Sequence, residues 1–586
     1  MESPNLITVD PGFIRLSGLL GRGLDATAAN RLAKVDYTLL VDVFRYRMDD
    51  DGGWRGEFWG KVIRSAILAW KSTRDENLLS VIRATVKDMI SVQGEDGCIS
   101  GYSPANQTTN WDIWGRKYVV AGLLRYYEVI EKDPAVLNAA AKVILHMMTQ
   151  IGPGKINITE CGFHDGLAAS SILYTVVKLY RFSKDQRFLD YARWIAGTGC
   201  SSKHDIFEAA IAGTLPQDIA NGKSYEMMSC FLGAAELYRE VPEEKYLQAV
   251  VRFYEMVRDR EIYITGVSGL KDCWGEYWFD GKFKQCGDPK EVGTHGETCI
   301  TTTWIHYCYT VLKLTGSAAV ADEIELSLYN GILGGMLPDG SNFIHGNPEL
   351  TGSETSCKIP ADDQILRGFK TPFDGHDCCR AQGPEGLAMA MPTALIGTEN
   401  GVNLNLFENM SAAFAAPSGQ MVKLSVTGDY PLKNQVKIEI SLEKSEEFSL
   451  KLRIPKFTAS NGKIELNGEA LPFVAGTYLD IERIWQNGDI ICFDMAYSPV
   501  MHQDPGRSGK VAFTYGPLVL AQDNRLNDGK FLPVSDGLLR ENPAENFLTQ
   551  WRCSNGTVLT DYISAGNNFS KDNLLCVWSG FSKQGK

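Results

Sequence analysis

Two adjacent cysteines sit between glycines and prolines in the run Pro372-Phe373-Asp374-Gly375-His376-Asp377-Cys378-Cys379-Arg380-Ala381-Gln382-Gly383-Pro384. A buried cysteine behaves as a small hydrophobe and needs no neighbour of its own kind, so packing alone does not account for the pair. Three readings are open: an accidental pair, a strained disulfide between neighbours, and a metal site. The metal reading gains from Gly296-Glu297-Thr298-Cys299, about eighty residues upstream. There a carboxylate and a thiol two positions apart can reach one ion from a loop or an irregular helix start. Glu297, Cys299, Cys378 and Cys379 make a closed set of three thiolates and one carboxylate, which suits zinc far better than calcium or magnesium. No CxxC spacing anchors the set, so spacing alone suggests it and no more. The chain has 14 cysteines, too scattered for a disulfide scaffold, and most are expected to be reduced and buried. Cys273 and Cys286 flank an aromatic and acidic loop and stay open as a disulfide, a loop staple or an unrelated pair.

The elements that must position these groups fall into two kinds. After a short extended start, the chain to about residue 395 reads as helical hairpins with apolar residues at three- and four-residue spacing. Val62–Trp70 pairs with Asn77–Ile90, Tyr118–Val129 with Val136–Met148, Ala168–Tyr180 with Phe188–Ile195, Met227–Tyr238 with Tyr246–Val257, and Thr301–Leu314 with Val320–Leu333. The aromatics Trp70, Tyr127, Tyr180 and Tyr238, which close successive first helices, lie 57, 53 and 58 residues apart. Each hairpin of such a repeat hides its apolar face against the next, and five or six of them either open into a solenoid or close into a ring. The loops that open the first helices are rich in Gly, Trp and acids, as in Trp54-Arg55-Gly56-Glu57-Phe58-Trp59-Gly60 and Asn110-Trp111-Asp112-Ile113-Trp114-Gly115. A closed ring gathers them into one pocket. The predicted architecture is therefore an (α/α)6 barrel over 1–398.

From about residue 400 the period changes to two. Val422–Val426, Val436–Ile440, Phe448–Ile454 and Ile491–Met495 alternate apolar with polar and are separated by Asn461-Gly462, Asn467-Gly468 and Asn487-Gly488 turns. This predicts an antiparallel β-sandwich over 399–505. A last β segment, 506–586, completes the sandwich or forms a second small β domain. At 586 residues the multidomain α + β reading is the natural one. A net charge of −13 argues against a nucleic-acid surface, and no apolar run reaches a membrane span. The first thirty residues lack a basic start followed by an apolar stretch. The expectation is a cytoplasmic protein, or an exported, periplasmic one whose leader has been removed.

Taken together, the chain resembles glycoside hydrolase family 127, the β-L-arabinofuranosidase family, and its sister family 146. The resemblance rests on Glu297-Thr298-Cys299, Cys378-Cys379, the run Leu326-Ser327-Leu328-Tyr329-Asn330-Gly331-Ile332-Leu333, and Leu452-Arg453-Ile454-Pro455, Asn467-Gly468-Glu469 and Tyr515-Gly516-Pro517-Leu518-Val519 in the sandwich. It implies an (α/α)6 barrel followed by β-sandwich domains and a zinc ion on Glu297, Cys299, Cys378 and Cys379. It also makes Cys378 the nucleophile of a retaining, exo-acting glycoside hydrolase whose partner is an oligosaccharide. Metal coordination keeps a sulfur as thiolate at neutral pH and fixes its direction, while the covalent glycosyl-enzyme keeps the retaining logic. The family's acid/base glutamate falls on Glu276 in Gly275-Glu276, with a raised pKa expected from Trp274, Tyr277, Trp278 and Phe279; Glu291 is the alternative. His164 matches a histidine that contacts the sugar. A polysaccharide lyase or unsaturated uronyl hydrolase shares the toroid but has no use for these cysteines, and a non-catalytic sugar-binding protein with structural zinc would carry the same ligands.

Where the family resemblance implies histidines around the sugar, this chain carries charges: Glu57 and Lys61, Arg116 and Lys117 beside Trp114, Lys223, and Arg380 directly after the cysteine pair. Such cations at helix starts usually face solvent. Turned into the pocket, Arg116, Lys117, Lys223 and Arg380 would suit a carboxylate. The expected substrate is then an acidic furanose, such as the aceric acid of pectin side chains, with neutral arabinofuranose as the alternative.

Overall fold

The computed structural model describes residues 6–47, 49, 55–270, 276–286, 295–348, 358, 378–570 and 572–582. Among them, six helices form a closed inner ring: Gly56–Thr73, Asp112–Val129, Leu173–Ser183, Ser224–Glu240, Thr298–Thr315 and Cys378–Ala388, each packed on the next and the last on the first. Outer helices back them in the same order: Glu76–Ser91, Pro134–Gln150, Gln186–Gly197, Glu244–Arg260, Ala318–Leu326 and, behind Cys378–Ala388, Leu19–Asn30. This is the (α/α)6 barrel. Three of the hairpin loops end in aspartates, and Asp75, Asp133 and Asp185 cap their outer helices by accepting the N–H two residues on. Inner helices are buried nearly all round, as Thr298–Thr315 is, which is why their apolar pattern is less one-sided than that of the outer helices.

The sequence predicts five hairpins; the ring closes with a sixth pair drawn from distant parts of the chain. Its inner member, Cys378–Ala388, contains Gly383, Pro384 and Gly386 and carries no helical signal. Its glycines serve close packing: a Cβ on Gly383 would stand 2.5 Å from the Phe343 ring, and one on Gly386 2.6 Å from Thr302.

The β region holds a five-stranded and a seven-stranded sheet, then an eight-stranded C-terminal sheet. Among the described strands of this region the pairing is antiparallel apart from Gly401–Leu404 against Glu446–Arg453, and an isolated parallel bridge joins Val534 to Phe581. Strands from both ends of the stretch assigned to the barrel join the sandwich, the first from the expected extended start: Ile7–Thr8 pairs with Leu395–Thr398, and Ile14–Leu16 with Met410–Ala415. Three of the motifs that mark the family likeness turn out to be seams. Buried Arg453 pairs with Asp322 at 2.6 Å and Glu325 at 2.8 Å on an outer helix. Asn330, in the π-helical turn Ser327–Leu333, donates to the Pro517 carbonyl and accepts from the Val519 N–H. These contacts lock sheets to barrel and leave the ring's helix starts open for chemistry. No helix among the described residues is long and apolar enough to cross a membrane.

Candidate metal centre and active site

All four expected ligands converge. Glu297 ends a short strand, His295–Glu297, paired with Gly346–Pro348, and it is the N-cap of the helix that begins at Thr298. Its carbonyl accepts from the Thr301 hydroxyl and its N–H donates to Ser268, so the side chain is fixed at a strand-to-helix corner. Cys299 lies in the first turn of that helix; Cys378 and Cys379 begin the next helix of the ring. Three thiols therefore sit at helix N-termini, where the field of the aligned peptides favours negative charge.

The ligand atoms lie within 4.8 Å of one another. Cys378 and Cys379 Sγ are 3.8 Å apart, and Glu297 Oε1 is 3.7 Å from the first and 3.4 Å from the second. At that separation the pair is not a disulfide. Ligands held at about 2.0–2.3 Å by one tetrahedral ion stand about 3.3–3.8 Å from each other, the range of these three distances, so the cluster could hold a metal ion. The electrostatics also call for a cation. Burial, then the Glu276 carboxylate, push Glu297 well above the usual carboxylate range, while burial and the neighbouring thiols push Cys379 up. Cys299 is pulled down: its burial is outweighed by its two sulfur neighbours and by the Lys61 ammonium, 3.9 Å away. Four acids in so small a space cannot all ionise without a compensating charge.

Glu276 is brought to the same place. Its carbonyl accepts both the N–H and the hydroxyl of Ser224, which docks its segment on the start of the helix Ser224–Glu240. The expected raised pKa is not found. Burial pushes the Glu276 carboxyl up, but Lys223, at 2.6 Å, and a proton shared with Glu297 outweigh it and hold it at about 2. Lys223 is correspondingly an ion-pair partner and not a free cation. His164, in left-handed backbone at φ 61°, lies among Trp111, Phe163 and Tyr277. Burial and Lys223 keep it neutral, at about 4. Its Nε2 is 3.9 Å from Glu226, a residue the sequence reading missed. Burial raises Glu226 to about 7; a charged residue in the first turn of an inner helix was the available signal. Cys273, Trp274, Gly275, Glu291 and the stretch 372–377 lie outside the described residues, and with Cys273 the expectation about its pairing with Cys286.

Most of the other residues expected at the sugar lie in the barrel wall. A Cβ on Gly60 would come within 2.2 Å of the Tyr118 carbonyl oxygen, so glycine lets the first two inner helices touch. As a result Trp114 donates its indole N–H to Glu57, which also takes Lys61 at 2.8 Å. Trp114 is buried, with the Lys117 ammonium 3.9 Å above its ring, leaving no open face for a sugar. Arg116 is fully buried against Asp112 at 2.7 Å. Lys117 lines a different cavity, along the barrel axis. Arg380 is part-buried in the first turn of its helix.

The chain thus combines a toroid of paired helices, β-sheets that follow it, and a buried carboxylate–thiol cluster that could hold a metal ion. The chain belongs to glycoside hydrolase family 127: residues 26–391 match its β-L-arabinofuranosidase catalytic domain and 401–497 its middle domain. It is 22% identical over 450 residues to a non-reducing end β-L-arabinofuranosidase of Bifidobacterium longum subsp. longum, a match that covers 70% of this chain and 65% of that protein. A GH127 β-L-arabinofuranosidase from Geobacillus stearothermophilus T6 has the same fold, with TM-score 0.78, 19% identity, and coverage of 97% of this chain and 100% of that one. A second GH127 β-arabinofuranosidase superposes with TM-score 0.79 at 18% identity, covering 99% and 98%.

Proposed function

We propose that this protein is a retaining, exo-acting furanosidase in which Cys378 is the nucleophile, Glu276 the acid/base, and Glu297, Cys299, Cys378 and Cys379 the ligands of a zinc ion. The observation that carries the reading is the cluster's asymmetry: Glu297, Cys299 and Cys379 are buried, whereas Cys378 alone of the four is partly open. When bound, zinc would keep the thiols ionised at neutral pH and neutralise the carboxylate. The Cys378 thiolate attacks the anomeric carbon as the bond to the leaving oxygen breaks, and Glu276 gives that oxygen its proton. Water then attacks the same carbon, Glu276 takes the water's proton, and the carbon–sulfur bond breaks to return the thiolate. Glu276 must gain a proton before the first step, so its grip on Lys223 has to loosen when sugar enters.

A neutral β-arabinofuranoside is the preferred substrate. Lys61 is committed to Glu57, Lys223 to Glu276 and Arg116 to Asp112, and a sugar carboxylate would also face Glu226. The acidic furanose of pectic oligosaccharides keeps Arg380 as its main support. Three measurements test the proposal. Mass spectrometry of enzyme quenched in turnover should find a glycosyl adduct on Cys378, NMR at early times should show a retained anomer, and elemental analysis should find one zinc per chain. An inverted product, or zinc fully retained by Cys299→Ala/Cys379→Ala, would sink it. Acidic and neutral furanosides compared on wild type and Arg380→Ala decide the sugar.

A further inference from the structure

The opposite mouth of the ring holds a feature that the furanosidase reading does not use. All the inner helices start at the metal-capable centre, so their last turns gather at the other end. On one helix Cys299 and Lys313 are fourteen residues apart, about 21 Å along the axis. A cavity of about 360 Å³ opens there, in the size range of small-ligand sites. Among the described residues its wall carries eight Lys and Arg against three Asp and Glu.

Some of that charge is neutralised inside the protein. Lys71 pairs with Asp10, Arg64 with Glu385, and Lys178 with Glu128. What remains is concentrated around one carboxylate. Buried Glu236 has Arg181 at 2.6 Å but Arg239 and Lys313 only at 4.0 Å each. Arg181 also takes Glu240 at 2.5 Å. Lys313 is nine-tenths buried and has no closer acid; burial first, and then Arg239, Arg181 and Lys178, push it down to about 8 despite Glu236. Deeper in the same wall, the buried Lys117 ammonium has no hydrogen-bond partner. Cations do offset the negative field at helix C-termini, but that role needs one per helix end at the surface. It does not require Lys313 and Lys117 to be buried, or Arg181, Arg239 and Lys313 to gather on one carboxylate beside a void.

We propose that this mouth is a binding site for a small phosphoryl anion, a free di- or triphosphate or the phosphate of a small ester, held by Arg239, Lys313 and Arg181. Guanidinium forks and an ammonium arriving from three helices (Leu173–Ser183, Ser224–Glu240 and Thr298–Thr315) can bond the several oxygens of a tetrahedral oxyanion from three sides. The Tyr309 and Thr310 side chains on the same wall supply hydroxyls for a non-bridging oxygen or an attached sugar. The site is separate from Cys378 and stands whether or not the furanosidase reading does.

The test is calorimetric titration of the zinc-loaded protein with pyrophosphate at constant ionic strength, with ribose 5-phosphate, ribose and citrate as further arms. Saturable one-to-one binding of pyrophosphate is expected, weakened at least tenfold by Arg239→Gln and by Lys313→Met, each first shown to melt cooperatively. Should one variant fail to fold, the other decides. Tighter binding of ribose 5-phosphate than of pyrophosphate would identify an ester as the ligand. No saturable binding, or binding equal in wild type and variants, would reduce the cluster to helix-end compensation and overturn the proposal. Preference for citrate over pyrophosphate would overturn its phosphoryl class.

Discussion

The two mouths of one barrel carry opposite chemistry. At the helix starts lie three thiols and the carboxyls of Glu57, Glu226, Glu276 and Glu297, with Lys61 and Lys223 as counter-charges. At the helix ends lie Arg181, Arg239 and Lys313 crowded on Glu236. The inner helices all run the same way, so their aligned peptide dipoles add: partial positive charge collects at one mouth and partial negative at the other. Groups that must lose protons gather at the first and groups that keep them at the second. The lesson is that a ring of parallel helices sorts its charged residues by end, and each end then overshoots. The start holds more acids than it can ionise without a cation, and the far end more cations than Glu236 can neutralise.

The sharpest break between the mouths comes from Cys378→Ala. Turnover of an aryl arabinofuranoside should fall by roughly 10⁴-fold or more, while pyrophosphate titration at the far mouth stays unchanged; a variant keeping a tenth of the wild-type rate would remove Cys378 from its role. Next in size is Glu276→Gln, expected to slow an oligosaccharide by about 10²–10⁴-fold but an activated aryl glycoside far less. Equal losses on both would move the acid to another group, with Glu226 first in line.

Lys61→Met tests the support of the centre, since its ammonium lies between Glu57 and Cys299. Zinc affinity, read by competition with a chromophoric chelator, should drop about 10–100-fold; no change would make Lys61 a partner of Glu57 alone.

The smallest effect belongs to Lys313. Its folded pKa is about 8 against a usual value of 10.5. Between those values the unfolded chain binds a proton that the folded chain lacks, so unfolding free energy rises with pH across that window. Below it both states are protonated and the penalty is complete, roughly 1–3 kcal/mol. Denaturant titrations from pH 7 to 10 should therefore show Lys313→Met more stable than wild type at pH 7, with the gap closing toward pH 10. A gap that does not change with pH would mean that Lys313 is not strained by its neighbours.

The amino-acid sequence by itself determined the hairpin repeat, because apolar spacing and Asp caps act within a few residues, and it determined the sandwich strands through their alternation. It also determined which residues could hold zinc, because three thiols and a carboxylate are a rare chemical set wherever they fall. What it could not contain is which helices complete the ring. Cys299 meets Cys378 and Cys379 only because the helix Cys378–Ala388, whose Gly383, Pro384 and Gly386 conceal it, is held helical by the packing around it. Lys223, read as a sugar contact, became the partner of Glu276, and Trp114 and Arg116 vanished into the wall. Arg181, Arg239 and Lys313 each read as an ordinary helix-end cation. Local pattern fixes which face of a helix is buried, but which charges then face one another across a barrel is set by contacts between residues far apart in the chain, and only the tertiary structure decided that.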